Sequence, residues 1–417
     1  MNILHISTAD LRHGAGIAAY RLHCALRKRG VRSRMLVAEK SSDDPDVVAL
    51  VPSHLSGSAA FLRTIQNVVE LGLNTCGLQN HFSFFTQKLF SHPFVQEADI
   101  IHCHNLHWPF KNFPLRFLEI GRRKPLIWTF HDMWPLTGHC YHSFECLKWK
   151  SGCKGGCPHL FTFIPLAWDS TPIQWRAKKN RYAATPFRVV APSKWLAQIA
   201  KDSPLMKGHD VFCIPNVVDR SVFTVLDKTE LRRTYGFSQE EKLILFVAAN
   251  INVPLKGLDL LLGALVGLKE HNVMTTLMVA GKGHLPQKFK DNVRFRHFGR
   301  VNEARKLAEL YNMADVTVVP STAENFGNVV VESMACATPV IGSRVGGIPD
   351  MIVHKENGWL FNPGDVSALT EGLEYFFTND DVRLAVGQNA LRRVEDFFSE
   401  EKVIAAHMAL YDRCLSL

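Results

Sequence analysis

Short apolar runs rich in branched residues alternate with helix-length amphipathic stretches along most of this chain, and that alternation restricts the fold more than any other feature. In the first half the runs are Asn2–Ser7, Arg34–Ala38, Asp99–Cys103, Pro125–Phe130 and Phe187–Ala191. In the second half they are Leu243–Ala249, Thr276–Ala280, Val293–Phe298, Val316–Pro320 and Pro339–Gly342. Runs that are apolar on successive residues suit parallel strands covered on both faces. Helical patterns lie between them. One runs through Ala18, Leu22, Ala25 and Leu26 and is stopped by Gly30; others cover Leu258–Glu270 and Glu303–Tyr311. Two α/β units in tandem are expected, and 417 residues is long for a single core. The junction falls near Pro215-Asn216, before the polar, irregular stretch Asp219–Gln239. The last stretch, Ser399–Leu417, reads as a helix through Val403, Ala406, Met408, Leu410 and Tyr411.

Composition narrows the class. With 47% apolar and 21% charged residues the chain is an ordinary globular one, and no run nears the ~20 apolar residues needed to cross a bilayer. A formal charge of +9 suits anionic partners. Its densest basic stretch is Arg21, Arg27, Lys28, Arg29, Arg32 and Arg34, with no acid between Asp10 and Glu39. That stretch reads either as a solvated helix face or as a surface for lipid headgroups. Val51–Val95, with Phe82, Phe84, Phe85, Phe90 and Phe94, reads either as core-packed helices or as an amphipathic surface for lipid or a hydrophobic acceptor.

Four of the ten cysteines, Cys140, Cys146, Cys153 and Cys157, fall within eighteen residues. The N-terminus MNILHIS reads as a strand without signal-peptide layout, so a reducing cytoplasm is expected, which favours a metal over disulfides. The spacing C-x5-C-x6-C-x3-C is looser than the paired C-x2-C of zinc ribbons. His139, His142 and His159 are possible substitutes. A structural zinc and free, inert thiols both remain open, while four protein ligands leave no position for a catalytic metal.

The stretch STAENFGNVVVESMACATPVIGS carries Glu324 in a loop and Glu332 one turn into a helix that opens near Asn328. A helix start offers N–H groups and a positive dipole end to a phosphate, and Gly327 allows close backbone approach. Two acids there suit sugar hydroxyls, one set from a ribose and one from a transferred hexose.

Glu324-x7-Glu332, with Phe326-Gly327 between, resembles the signature of the retaining glycosyltransferases of family 4. Ala337-Thr338-Pro339-Val340, Gly346-Gly347-Ile348-Pro349-Asp350, Asn357-Gly358, Pro192-Ser193 and Ile214-Pro215-Asn216 are similar to that family too, so the resemblance spans essentially the whole chain. FHDMWPLTG with the nearby cysteines is similar to a narrower group that builds bacterial exopolysaccharides, including colanic-acid-type polymers.

The resemblance implies an α/β fold of GT-B type, two Rossmann-like domains facing a cleft. Residues 1–215 would form the acceptor domain, with the Cys-rich loop 139–159. Residues 216–395 would form the nucleotide-sugar domain, and 396–417 a helix returning to the first. It also implies a retaining, metal-independent hexosyltransferase. The donor would be a UDP- or GDP-sugar, the acceptor a glycan or polyprenyl-linked molecule, and the place the cytoplasm at the inner face of the plasma membrane. By resemblance, Glu324 contacts the donor sugar, Glu332 the ribose and Lys256 the diphosphate. Phe326, Gly327, Asn328 and Val329 line the donor site, Gly14 and Gly16 form a loop approaching the phosphates, and His131 lines the transferred sugar.

Two positions depart from the family. Asn250 stands where an arginine is usual, leaving a second cation to Arg300 or Lys282, and Asn216-Val217 replaces Asn-Gly. No Asp-x-Asp pair is evident; Asp380-Asp381 and Ser42-Asp43-Asp44 read as turn residues. His131 also has a plain reading as a core histidine beside Asp132, and the histidines of Ile100–His107 read as structural. A sugar-nucleotide epimerase or phosphorylase on the same fold is an alternative. So is a zinc-containing nucleic-acid-binding protein, although the basic residues are not interleaved with aromatics on a compact module, so no nucleic-acid partner is expected. A nicotinamide enzyme is disfavoured because G-x-G-x-x-G is missing after the first strand.

Overall fold

The computed structural model describes residues 1–50, 64–65, 68–69, 71–73, 75–77, 89–107, 113–163, 165–268, 274–287 and 293–416. Most of the aromatic stretch 51–95 lies outside the described residues, including Phe82, Phe84 and Phe85. The chain divides into two compact units, Met1–Pro215 with Ile404–Leu417, and Asn216–Val403.

Among the described residues, the first unit holds a seven-stranded parallel sheet: β1 (Asn2–Ala9), β2 (Arg32–Glu39), β3 (Val47–Ala49), β4 (Ile100–Cys103), β5 (Leu126–Thr129), β6 (Arg188–Ala191) and β7 (Val211–Cys213). The order is β3-β2-β1-β4-β5-β6-β7. Central strands β4 and β5 are buried along their full length, which explains why they are apolar apart from His102 and Thr129, whose side chains bond each other at 2.7 Å. Crossover helices include His13–Lys28, Thr171–Ala183 and Lys194–Asp202, the last capped by Ser193 Oγ accepting from Leu196 N at 3.1 Å. In the parallel register His5 of β1 lies beside His102 of β4, so their imidazoles share one face of the sheet. The C-terminal helix Glu400–Leu415 covers that face from Ile404 onward: Tyr411 is fully buried and its hydroxyl bonds His102 Nδ1 at 2.8 Å.

The basic stretch is less free than its sequence suggests. Arg27 pairs with Asp44 at 2.8 Å and Asp46 at 3.1 Å, and Arg32 and Arg34 both pair with Glu97, at 3.1 and 2.9 Å. Folding brings acids from other segments to at least three of the six cations.

The second unit holds, among its described residues, a six-stranded parallel sheet of β8 (Lys242–Asn250), β9 (Thr275–Lys282), β10 (Phe295–His297), β11 (Val316–Val319), β12 (Val340–Ser343) and β13 (Trp359–Phe361). The order is β10-β9-β8-β11-β12-β13. Buried Asp315 pins its N-terminal edge. The carboxylate accepts from Lys228 at 2.6 Å, Arg232 at 2.7 Å and the Leu243 N–H at 2.7 Å. Asp380 pairs with Lys242 at 2.8 Å at the start of helix Asp380–Phe397. Among the described residues no helix is long and apolar enough to cross a membrane.

Candidate functional site

In each unit the strand order reverses beside the first strand, between β1 and β4 in one and between β8 and β11 in the other. Loops leaving the carboxyl ends of two such neighbours turn to opposite faces of the sheet and open a crevice, the usual ligand position in open α/β sheets. In the second unit the loop after β8 carries Lys256 and the loop after β11 carries Glu324, and the two side chains meet at 2.7 Å. Both are partly open to solvent, at 35% and 19% side-chain exposure.

Local backbone explains the meeting. Lys256 ends a tight turn, Pro254–Lys256, followed by left-handed Gly257 (φ 73°). A Cβ at Gly257 would stand 2.0 Å from the Pro320 carbonyl oxygen, so only glycine lets the two loops touch. Thr322 N donates to Leu255 O at 2.9 Å and ties them together. From the far side Gly346 (φ 51°) presses on Glu324, where a Cβ would fall 1.5 Å from its carbonyl oxygen. Left-handed Gly327 (φ 94°) then starts the helix Asn328–Ala335, and its carbonyl accepts from the Val330 N–H at 2.9 Å. Asn216 Nδ2 donates to Asn328 Oδ1 at 2.9 Å at this helix start.

The other expected donor-site residues fall variously. Glu332 is buried and accepts from the Tyr311 hydroxyl at 2.9 Å. Val329 is half-buried beside the helix start. Phe326 turns its ring, 4% exposed, into the core near Phe398, while its backbone lies in the loop. Arg300 is exposed just beyond β10, two strands from β8 in the sheet. Asn250 and Lys282 are exposed at the ends of β8 and β9.

In the first unit Gly14 and Gly16 are not in a loop ahead of the helix. The helix begins at His13, and both lie in its first turn. Gly16 is buried against the end of β1, where a Cβ would come 2.8 Å from the Ala9 carbonyl oxygen, so close helix–strand packing requires glycine here. Gly14 is exposed.

His131 follows β5 and is half-buried. Its Nε2 bonds His104 Nδ1 at 3.2 Å, and His104 Nε2 bonds His5 Nδ1 at 3.0 Å. Each link needs one donor and one acceptor nitrogen, so the tautomers of the three rings are coupled. Burial pushes His131 down to about 4, against the pull of the adjacent Asp132 carboxylate, and also lowers His5 and His104 well below the ordinary imidazole value. Asp132 is held by His107 Nε2 at 2.9 Å and by the Trp134 N–H at 2.8 Å. This chain of rings was not legible beforehand; the one signal was a pair of histidines two apart, His102 on β4 and His104 just after it.

Among the described residues, His5, His102 and His104 form the one group of three or more His, Cys, Asp or Glu whose ligand atoms lie within 4.8 Å of one another. Their nitrogens are largely committed to hydrogen bonds. His102 bonds Tyr411 and Thr129, and His104 bonds His5 and His131. They form a neutral ladder in preference to a ligand set. Cys140, Cys146, Cys153 and Cys157 line one cavity in the loop after β5.

Comparison with known proteins settles the family. The family described as Glycosyltransferase Family 4 matches residues 12–222, and that described as Glycosyl transferases group 1 matches residues 227–393. The chain belongs to glycosyltransferase family 4. This transferase is 28% identical over 211 residues to the N-acetyl-alpha-D-glucosaminyl L-malate synthase of Bacillus anthracis, a match covering 49% of the chain and 54% of that protein. It thus spans about half the length of that relative. It is 24% identical to the D-inositol 3-phosphate glycosyltransferase of Mycolicibacterium smegmatis over 442 aligned positions, 99% of the chain and 91% of that protein. A solved structure of Anabaena HepE in complex with UDP and glucose superposes with a TM-score of 0.65 at 17% identity, covering 99% of each chain. With two Rossmann-like parallel-sheet units and such neighbours, the transferase has the GT-B fold.

Proposed function

We propose that the transferase moves a hexose from a nucleoside-diphosphate sugar to a hydroxylated acceptor, with retention at the anomeric carbon and without a catalytic metal. The observation that carries this reading is the Lys256–Glu324 pair at the point where the second sheet reverses order. As the bond from C1 to the diphosphate breaks, its electron pair leaves with the phosphate oxygen. Lys256 and the helix-start N–H groups of Asn328 and Val329, opened by Gly327, stabilise that growing charge. Glu324 orients the hexose hydroxyls, and Glu332, aligned by Tyr311, takes the ribose. In the first unit His131 is assigned to the transferred sugar and the helix start at Gly14 and Gly16 to phosphate oxygens. The acceptor hydroxyl forms its bond to C1 on the face the phosphate leaves, and its proton passes to the departing phosphate oxygen. No carboxylate nucleophile is needed in this sequence.

A UDP- or GDP-sugar is the donor class, supported by the UDP and glucose named for the HepE structure. A glycan or polyprenyl-linked acceptor at the cytoplasmic membrane face, in exopolysaccharide synthesis, is supported by the FHDMWPLTG turn with its cysteines. A second reading of the acceptor is a small hydroxylated anion, favoured by the malate and inositol phosphate in the relatives' names. The test is a thermal-shift panel of UDP-, GDP- and ADP-sugars in chelator. Stabilisation by one base, lost in Lys256→Met, is expected. Failure of every donor to stabilise the folded protein overturns the reading.

A further inference from the structure

We propose that Cys140, Cys146, Cys153 and Cys157 hold one structural Zn2+ as a tetrathiolate. The inference stands apart from the sugar-transfer reading and concerns only the loop after β5.

Four thiols seventeen positions apart end to end converge on one cavity, with Thr137 and Trp149 among its walls. The Cys140 and Cys157 thiols hydrogen-bond each other, and Cys153 Sγ accepts from the Gly138 N–H at 3.3 Å. The loop has few means of ordering itself. From Lys150 to Thr162 its residues are exposed or half-exposed, and Trp149 is its main apolar anchor. The loop backbone is left-handed at Gly152, Gly155 and Gly156, which glycine adopts freely, and also at Cys153 (φ 49°), where a side chain makes it costly. A non-glycine residue in that region needs something to hold it there, and a cross-link at its own sulfur supplies it.

Charge gives an independent argument. Lys178 is fully buried beside this loop, its Nζ donating to the carbonyls of Trp134 and Thr137 and lying 3.6 Å from the centre of the Trp134 ring. A buried ammonium bound to carbonyls and a ring lacks a contacting anion, which is costly. Lys148 closes the other side, donating to Gly155 O at 2.8 Å and Gly156 O at 2.7 Å. Four thiolates around one Zn2+ carry two net negative charges, and these two lysines meet them. With neutral thiols the Asp132 carboxylate is, among the described residues, the one anion acting on Lys178.

The histidines nearby do not compete well as ligands. His159 Nε2 bonds Ser143 O at 3.2 Å, and His142 Nδ1 accepts from Phe144 N at 3.0 Å while the ring stacks on Trp195. Sulfur-only ligation in tetrahedral geometry selects zinc over harder cations. Zn–S bonds of about 2.3 Å place the sulfurs about 3.8 Å apart. No three of the four sulfurs lie within 4.8 Å of one another, so binding must draw them inward by about 1 Å or more. The glycines of the loop permit that. Each thiol gives up its proton as its sulfur bonds the metal.

The clamp would act on the turn that follows His131. Thr137 Oγ1 donates to Cys140 O at 2.7 Å, and Met133 N donates to Tyr141 O at 2.9 Å.

Elemental analysis of the untagged full-length chain should find about one zinc per chain. Cys146→Ser and Cys153→Ser should each lose most of it, whereas Cys213→Ser, at an exposed cysteine elsewhere, should keep it. Lys178→Met should lower zinc affinity about tenfold in competition with a chromogenic chelator. If the cysteine variants fail to fold, the wild-type zinc content decides. Below about 0.2 zinc per chain with all four thiols reacting freely, an intact mass four daltons low from two disulfides, or iron in place of zinc would each overturn the proposal.

Discussion

Lys256→Met tests the role given to the pair at the β8–β11 crevice. The substitution keeps most of the side-chain volume and removes one positive charge. In the native enzyme Lys256 Nζ lies 2.7 Å from Glu324, and both groups are partly solvated, so the pair itself contributes at most about 1 kcal/mol to stability. Melting should therefore shift by a few degrees at most. The transition state is affected far more. A leaving phosphate oxygen about 4 Å from the ammonium interacts at about 4 kcal/mol for an effective dielectric near 20, and solvent access to Lys256 lowers this toward about 2. Those limits correspond to a loss of about 30- to 1000-fold in kcat/KM. The assay is release of nucleoside diphosphate from the donor found by thermal shift, at matched folded protein. A variant within threefold of wild type would refute the assignment. A large loss accompanied by collapse of the melting transition would show that the lysine supports the fold instead.

Glu324→Ala and His131→Ala should each cut turnover at least tenfold while leaving circular dichroism unchanged; wild-type rates in either would remove that residue from the site. Asp315→Ala strands buried Arg232 without its carboxylate and should cost about 3–5 kcal/mol, read from denaturant midpoints. Stability should also fall with acid. His23 and His131 are held down to about 4 in the folded protein by burial, while the unfolded imidazoles titrate near 6.5. The unfolded chain thus binds more protons between those values, and unfolding free energy drops as pH falls from about 6.5 to 4, by up to about 3 kcal/mol per histidine. Urea midpoints that stay level from pH 7.5 to 5 would contradict this.

The tandem α/β plan was legible because the buried central strands carry apolar residues on both faces, as Ile100–Cys103 and Val316–Val319 do. What escaped were β3, β7 and β13, each three residues long and at a sheet edge, too short to show a period. Edge strand β10 was expected over Val293–Phe298 but covers only Phe295–His297. In the site, Lys256 and Glu324 could be singled out from their motifs, whereas their contact depends on Gly257 against Pro320, a packing fact between loops. The coupling of His5, His104 and His131 depends on parallel register across nearly a hundred residues, and Lys178 reaches its loop from a later helix. Such partners share no local pattern. Gly14 and Gly16 were placed in a loop by family resemblance, whereas they lie in the first turn of the helix, with Gly16 packed on Ala9.

The central claim is metal-free, retaining cleavage of a nucleoside-diphosphate sugar at the Lys256–Glu324 crevice. Proton NMR of the first-formed sugar, recorded before mutarotation with water as acceptor and chelator present, tests it most directly, with folding monitored in the same sample. The expected product is the anomer of the donor, formed at a rate unchanged by chelator and abolished in Glu324→Ala. An inverted anomer, or activity that returns only when magnesium or manganese is added to folded protein, would contradict it.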